Sequence, residues 1–342
     1  MTKKTAVLLM NVGSPDKPEV PSVRKYLTQF LNDKRVIDLP WLLRKFLVNV
    51  IIIPFRVKKS TGLYKQLWTE NGSPLIYYSE KLKEKLQEKL GSDFGVFLGM
   101  RYQNPPIKQA VQQIKKDGYE RIVLFPLFPQ HAMSTTETAL VAAGEEIKKQ
   151  KINAKIIEPD QFYDNPNFIH AFAEQAKKYD PDTFDYVVFS YHGLPNRQIE
   201  KCHPGIKVEM CDCSGAIPEY GSHCYRATCF ATSRLIAKKL GLKPSDYTVG
   251  FQSRLSKNWL TPFTDEILFE KLKEGKKRIL VLAPSFVTDC LETILEIGVE
   301  YGDEFIKKGG EKLQLVESLN TSDAWVNTLA GLVQQSIYNT QQ

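Results

Sequence analysis

The chain has 342 residues, 42% of them hydrophobic and 25% charged, with a net charge of +7 at neutral pH. That composition suits a soluble globular protein with a well-buried core, built as one large or two medium domains. The charge favours anionic substrates or an anionic membrane surface, but it is far below that of a dedicated nucleic-acid binder, so nucleic acid is not an expected partner.

The opening Met1-Thr2-Lys3-Lys4 runs straight into Thr5-Ala6-Val7-Leu8-Leu9-Met10. This apolar stretch is too short for a secretory core with its cleavage site. The longest apolar segment, 46–55, follows Trp41, is broken by Pro54 and is bordered by Val57-Lys58-Lys59. It has about half the length needed to span a bilayer. A greasy strip edged by cations suits a flat apolar ligand with anionic substituents, a peripheral membrane contact, or a buried helix. A cytoplasmic location, at most resting on a membrane, is expected.

Short β-branched and aromatic runs predict strands over 5–11, 94–100, 121–128 and 154–158, then 185–191, 247–252, 278–284 and 313–318. Lys/Glu-rich helical patterns lie between them, over 79–90, 104–116, 137–149, 168–178, 231–240 and 265–273. Strand alternating with helix predicts an α/β protein of two similar Rossmann-like lobes, each with a four-stranded parallel sheet flanked by helices. The lobes are expected over 1–160 and 161–342, near the junction Tyr179-Asp180-Pro181-Asp182, with the final helix able to pack back on the first. Ligands in such folds bind beyond the carboxyl ends of the strands. Neither G-x-G-x-x-G nor a phosphate-binding loop motif occurs, which disfavours a dinucleotide or nucleotide-triphosphate enzyme.

Three features stand at those carboxyl ends. The first is the run 284–300, in which Asp289, Glu292, Glu296 and Glu300 are spaced 3, 4 and 4 apart. At about 100° per residue they share a helical stripe roughly 80° wide. Carboxylates stacked in this way repel one another and welcome a divalent cation. A solvated acidic face is the plainer reading, but apolar flanks (Leu291, Ile294, Leu295, Ile297) favour a face turned into a cleft. The second is His192, which ends an apolar run and precedes Gly193-Leu194-Pro195. A lone histidine is usually structural; this one sits where it can take a proton or bind a metal, and the sequence leaves both open. The third is Cys202-x8-Cys211-x-Cys213-x10-Cys224, in a polar loop with His203 and His223. Four thiolates match a [2Fe–2S] cluster; zinc and redox-active thiols stay open. Cys229 and Cys290 lie outside this group.

Taken together, these segments resemble one family. Leu9-Met10-Asn11-Val12-Gly13-Ser14-Pro15, Gly72-Ser73-Pro74-Leu75, Met100-Arg101-Tyr102 and Pro126-Leu127-Phe128-Pro129-Gln130 look like ferrochelatase motifs. So do Phe189-Ser190-Tyr191-His192-Gly193-Leu194-Pro195, Phe251-Gln252-Ser253-Arg254 with Trp259-Leu260, and Pro284-Ser285-Phe286-Val287-x-Asp289-Cys290-Leu291-Glu292-Thr293. They run in order along nearly the whole chain.

The resemblance implies a lyase that inserts Fe²⁺ into protoporphyrin IX, the last step of haem formation, without nucleotide and without redox change. It implies His192 and Glu292 as catalytic residues, with Asp289, Glu296 and Glu300 continuing an iron path from them. Asn11, Val12, Arg101, Tyr102, Trp259 and an apolar lip over 39–55 would contact a macrocycle bent within a cleft between the lobes. Lys58 and Lys59 would meet its propionates. Position 290 is Cys where many members carry His, and position 191 is Tyr where Ala is common. No cysteine follows Cys290, and position 133 is Met, so the cluster arrangement of animal members is missing. The set Cys202, Cys211, Cys213 and Cys224 looks like that of some bacterial members with a [2Fe–2S] cluster. The expected partners are porphyrin and ferrous iron, with the chain a monomer or homodimer. Alternatives are a coproporphyrin or other tetrapyrrole chelatase, and, from another class, a non-catalytic porphyrin carrier or iron–sulfur sensor.

Overall fold

The structure is a computed structural model that describes residues 5–340; the outermost residues of both expected lobes, 1–4 and 341–342, lie outside it. Among the described residues the chain forms two compact units, each built on a four-stranded sheet.

In the first unit, β1 (Thr5–Gly13) leads through α1 (Val20–Leu31), α2 (Trp41–Phe46), α3 (Ile53–Leu67) and α4 (Pro74–Leu90) to β2 (Phe94–Tyr102). Then come α5 (Ile107–Asp117), β3 (Arg121–Pro126), α6 (Thr138–Lys149) and β4 (Lys155–Ile157). The strands are parallel, in the order β2-β1-β3-β4. β1 is central and buried from Thr5 through Met10, because helices cover both faces of a parallel sheet and leave no polar side for alternation. On one face Ala6, Leu8 and Met10 meet Val111 and Ile114 of α5 and Ala139 and Ala143 of α6. β1 ends at Gly13, whose φ of +101° and whose approach to the Tyr102 carbonyl, 2.0 Å from where a Cβ would stand, exclude any other residue.

The segment 46–55 is not a buried helix. α2 passes without a break through a π-helical stretch, Leu47–Ile52, into α3; the Ile53 N–H donates to the Val48 carbonyl across the wider turn, and Pro54, next in line, has no N–H to donate. Trp41, Leu42, Phe46 and Phe55 are exposed, Phe55 at 83%.

The second unit repeats the plan with α7 (Pro166–Lys177), β5 (Tyr186–His192), α8 (Asn196–Glu200), α9 (Tyr225–Leu240) and β6 (Tyr247–Gln252). It continues with α10 (Thr264–Lys273), β7 (Arg278–Leu282), a π-helix over Glu292–Tyr301, α11 (Gly302–Lys307) and β8 (Lys312–Leu315). Its strands are also parallel, in the equivalent order β6-β5-β7-β8. Tyr186, Val188, Ile279, Val281, Ile297 and Phe305 form the core of one face. The chain then returns to the first unit from Thr321, where α12 (Asp323–Asn339), with Trp325 fully buried, packs on α4 and a 3.0 Å ion pair joins Lys85 and Asp323. All eight expected strands are present, with ends shifted by a few residues. The main difference in kind lies after β7, where the acidic segment coils as a π-helix rather than an α-helix.

Candidate active site

His192 is the last residue of β5. Its Nδ1 lies 2.6 Å from the Gly193 carbonyl. An acceptor there requires the proton on Nδ1, which leaves the Nε2 lone pair for a proton or a metal. The backbone is fixed on both sides. The Gly193 N–H donates to the Gln252 carbonyl at 2.8 Å, and Tyr225 Oη donates to the His192 carbonyl at 2.9 Å. Any side chain at 193 would meet that Gln252 oxygen at 2.8 Å, so glycine is required by close approach. The loop beyond pairs with the loop after β6 (Leu260 N to Leu194 O, 2.9 Å), which sets the Trp259 ring 6.4 Å from the imidazole.

The start of the π-helix is tied to the same sheet. Ser190, fully buried in β5, donates to Gln252 Oε1 at 2.5 Å, and Gln252 Nε2 donates to the Glu292 carbonyl at 3.2 Å. Buried polar groups persist where each finds a partner, and here the chain of bonds fixes where Glu292 begins. One turn on, Glu296 accepts hydrogen bonds from the Ser253 N–H and hydroxyl and from Tyr301 Oη. Burial pushes the Glu296 carboxyl up, and nearby Glu292 adds to this; the Ser253 bond, the His192 charge and Tyr301 pull the other way. Glu292 and Glu296 are half-buried and Glu300 is exposed.

Asp289 stands apart from this series. It precedes the helix and is 7% exposed. Its carboxylate accepts from Thr293 Oγ1 at 3.1 Å, the Ser318 N–H at 3.1 Å and Asn320 Nδ2 at 2.7 Å. The α-helical phase that aligned it with the three glutamates does not apply, because the helix starts three residues later and winds differently.

The remaining predicted residues belong to the first unit, apart from Trp259 and the cysteines. Asn11 is buried, with Oδ1 accepting from the Val12 N–H at 2.8 Å; Val12 is half-buried. Arg101 pairs with Asp33 at 2.5 Å and donates from Nε to Thr138 Oγ1 at 2.7 Å. Tyr102 is 2% exposed and donates to the same Asp33 at 3.0 Å. Its phenol is occupied within the protein, and burial followed by the Asp33 charge pushes it up. Lys58 and Lys59 are exposed on α3.

Sequence reasoning missed three groups. Ser253 and Tyr301 carry no signal beyond their place in or near a motif. Ser73, at the N-terminal end of α4, has a buried hydroxyl without a partner. It lines a hollow of about 510 Å³ with Pro15, Trp68, Asn71, Asn104 and Gln109.

The expected four-thiolate group is not supported. Cys211, Cys213 and Cys224 are buried near one another, and Arg226 donates to Cys213 Sγ at 3.0 Å. Burial pushes Cys213 up to about 12; the Arg226 charge opposes this and the neighbouring thiols add to it. Cys202 is less buried than the other three. Among the described residues no group of three or more His, Cys, Asp or Glu side chains is arranged to hold a metal ion. Burial disfavours the thiolate form of Cys213, and the Arg226 charge offsets that only in part. The set does not fit a cluster as it stands, and no step of the proposed chemistry depends on it.

A repeated, four-stranded parallel sheet with imidazole and carboxylates gathered beyond its strand ends defines a two-lobed, chelatase-like α/β protein. The chain shares this fold with SirB from Bacillus subtilis with Fe³⁺, at a TM-score of 0.57 and 12% identity over 99% of this chain and 97% of that one. It also matches the sirohydrochlorin chelatase SirB from Bacillus subtilis subspecies spizizenii in complex with cobalt, at a TM-score of 0.53 and 10% identity over 99% and 97%. At the sequence level the Ferrochelatase family model matches residues 4–337. Ferrochelatase from Coxiella burnetii (strain Dugway 5J108-111) is 43% identical over 98% of this chain and 94% of its own. Ferrochelatase from Legionella pneumophila (strain Paris) is 41% identical over 98% and 100%. The chain belongs to the ferrochelatase family.

Proposed function

We propose that the chain inserts Fe²⁺ into protoporphyrin IX to give protohaem, with His192, Glu292 and Glu296 as its working side chains. The observation that carries the assignment of roles is the His192 tautomer: the Nδ1 bond to Gly193 leaves Nε2 as the acceptor, within electrostatic reach of Glu296.

The chemistry balances without an oxidant. Two pyrrole N–H protons leave as one Fe²⁺ enters, so the ring exchanges two positive charges for two. His192 takes a pyrrole proton on Nε2 while Nδ1–H holds the ring in place. The negative charges on its side of the unit stabilise the imidazolium that forms. Glu292 and Glu296, followed by the exposed Glu300, pass metal inward or protons outward along one side of the π-helix. Trp259 supplies an apolar wall beside the imidazole. Arg101 and Asn11 lie at the ends of the first sheet's strands, where macrocycle contacts are proposed. Lys58, Lys59 and the unpartnered Ser73 hydroxyl are proposed to receive the porphyrin carboxylates. We also propose that the exposed strip Trp41–Phe55 rests on a membrane surface from the cytoplasmic side; among the described residues no helix is long and apolar enough to cross one.

The test is anaerobic incubation of the purified protein with protoporphyrin IX and Fe²⁺, or Zn²⁺ as surrogate, followed by porphyrin absorption. His192→Ala and Glu292→Ala should each slow insertion by roughly 10²- to 10⁴-fold, the range for a lost acid–base group, while porphyrin binding survives. Normal turnover in either variant would overturn the roles assigned to these side chains. Coproporphyrin III run in parallel decides between the two porphyrins: faster metallation of coproporphyrin would move the assignment to that ring.

A further inference from the structure

Within the π-helix, Glu296 is held more completely than Glu292 or Glu300. Ser253 N–H donates to Oε1 at 2.8 Å, Ser253 Oγ to Oε2 at 2.5 Å, and Tyr301 Oη to Oε1 at 2.9 Å. Both carboxylate oxygens are engaged, so a side chain that would sample several rotamers on an open helix face is confined to one. We propose that Ser253 and Tyr301 are positioning residues that fix the Glu296 carboxylate for ferrous-ion transfer. The inference rests on the reading of Glu296 as part of the metal path.

Two structural oddities converge on this contact. Ser253 has φ of +62°, a left-handed conformation that non-glycine residues adopt rarely and keep only where the surroundings enforce it. It directly follows Gln252, which is pinned to Ser190 and to the Glu292 carbonyl. The backbone turn aims both of its donors at one carboxylate. Tyr301 lies five residues after Glu296. In an α-helix that spacing places two side chains about 140° apart around the axis. The i→i+5 winding of a π-helix brings them together, and the segment Glu292–Tyr301 is wound that way. The π-helix thus has a local consequence: it delivers the Tyr301 hydroxyl to Glu296. The charged and titratable groups around this contact are His192 from β5, Glu292 from the same helix, and Asp265 from α10, which is paired with Arg254.

The experiment is steady-state insertion into protoporphyrin IX with Fe²⁺ and separately Zn²⁺, varying metal and porphyrin independently. The proteins are the natural chain, Tyr301→Phe, Ser253→Gly, the double variant and Glu296→Gln. Phenylalanine removes only the hydroxyl. Glycine keeps the backbone N–H and tolerates the left-handed φ, so it removes only the second donor. Each single variant should raise KM for the metal by about tenfold, the effect of one lost hydrogen bond to a charged group. KM for porphyrin should stay within about twofold, and the double variant should approach Glu296→Gln. Natural metal KM in both single variants, with Glu296→Gln impaired, would overturn the clamp and leave the metal path standing. Natural metal KM in Glu296→Gln would overturn the metal-path reading, and the clamp with it. Parallel losses in kcat and both KM values, with a lowered melting temperature, would reduce both residues to a structural role and overturn the proposal.

Discussion

At residue scale the molecule repeatedly uses neutral hydrogen-bonding groups to set the state of charged ones. His192 gets its tautomer from a backbone carbonyl, and Glu296 its orientation from two hydroxyls and an N–H. Asp33 shows the same principle in the first unit. Burial alone would raise its carboxyl, but hydrogen bonds from Thr138 and the Arg35 N–H, the Arg101 charge and the Tyr102 hydroxyl together hold it below the usual 3.8. A depressed carboxylate contributes stability above its unfolded value and loses it as pH falls through the folded one. Acidification from about pH 5 to pH 2 should therefore destabilise the natural chain more steeply than Asp33→Asn, which has nothing to protonate there. At pH 7 the order reverses. Asn removes a largely buried partner of Arg101 and should cost about 2 kcal/mol or more, read from urea midpoints. Equal slopes with acid in the two proteins would show that Asp33 is not the group responsible.

At element scale the strands follow from local pattern and the helices only in part. The run Thr5–Met10 reads as a strand because a parallel sheet buried on both faces asks for unbroken apolar residues, and the sheet delivers that environment. His192 was legible for a related reason: an apolar run ending in histidine and glycine places that side chain at the carboxyl end of a sheet. The π-helix was not legible. Its sequence supports α-helical phase equally well, and its contacts with Ser253, Gln252 and β8 are tertiary ones that local phase does not contain. Nor does spacing show that Asp289 turns away to Ser318 and Asn320. α12 makes a separate prediction. Trp325 is fully buried in the first unit although it follows the whole second unit in the chain. Trp325→Ala should destabilise the first unit by about 3–5 kcal/mol, and the loss should appear as an earlier urea transition of that unit. A single unchanged transition would mean that α12 contributes little to it.

At the scale of the whole molecule, the net charge of +7 and the exposed strip Trp41–Phe55 both bear on the proposed membrane contact. The strip's aromatic and aliphatic side chains are followed by Arg56, Lys58 and Lys59, all exposed. Apolar insertion together with about 1 kcal/mol per cation near an anionic surface is enough for reversible peripheral binding. Cosedimentation with phosphatidylglycerol vesicles should therefore exceed that with phosphatidylcholine, weaken with salt, and drop further in Phe55→Ser. Binding that ignored lipid charge and the Phe55 substitution would assign the strip to the porphyrin alone.

By itself the sequence determined the two-lobed parallel α/β plan, the family, and the place of His192 at the carboxyl end of a strand. All of these are carried by local periodicity, or by residues adjacent in the chain. Tertiary structure decided the rest. Tyr102 and Asp289 are turned inward to partners, the 46–55 helix is left exposed, three cysteines are buried, α12 returns to the first sheet, and Glu296 is gripped by Ser253 and Tyr301. Each depends on which surface meets a side chain from far along the chain, and on whether a buried polar group finds its partner there, information that local residue patterns do not contain.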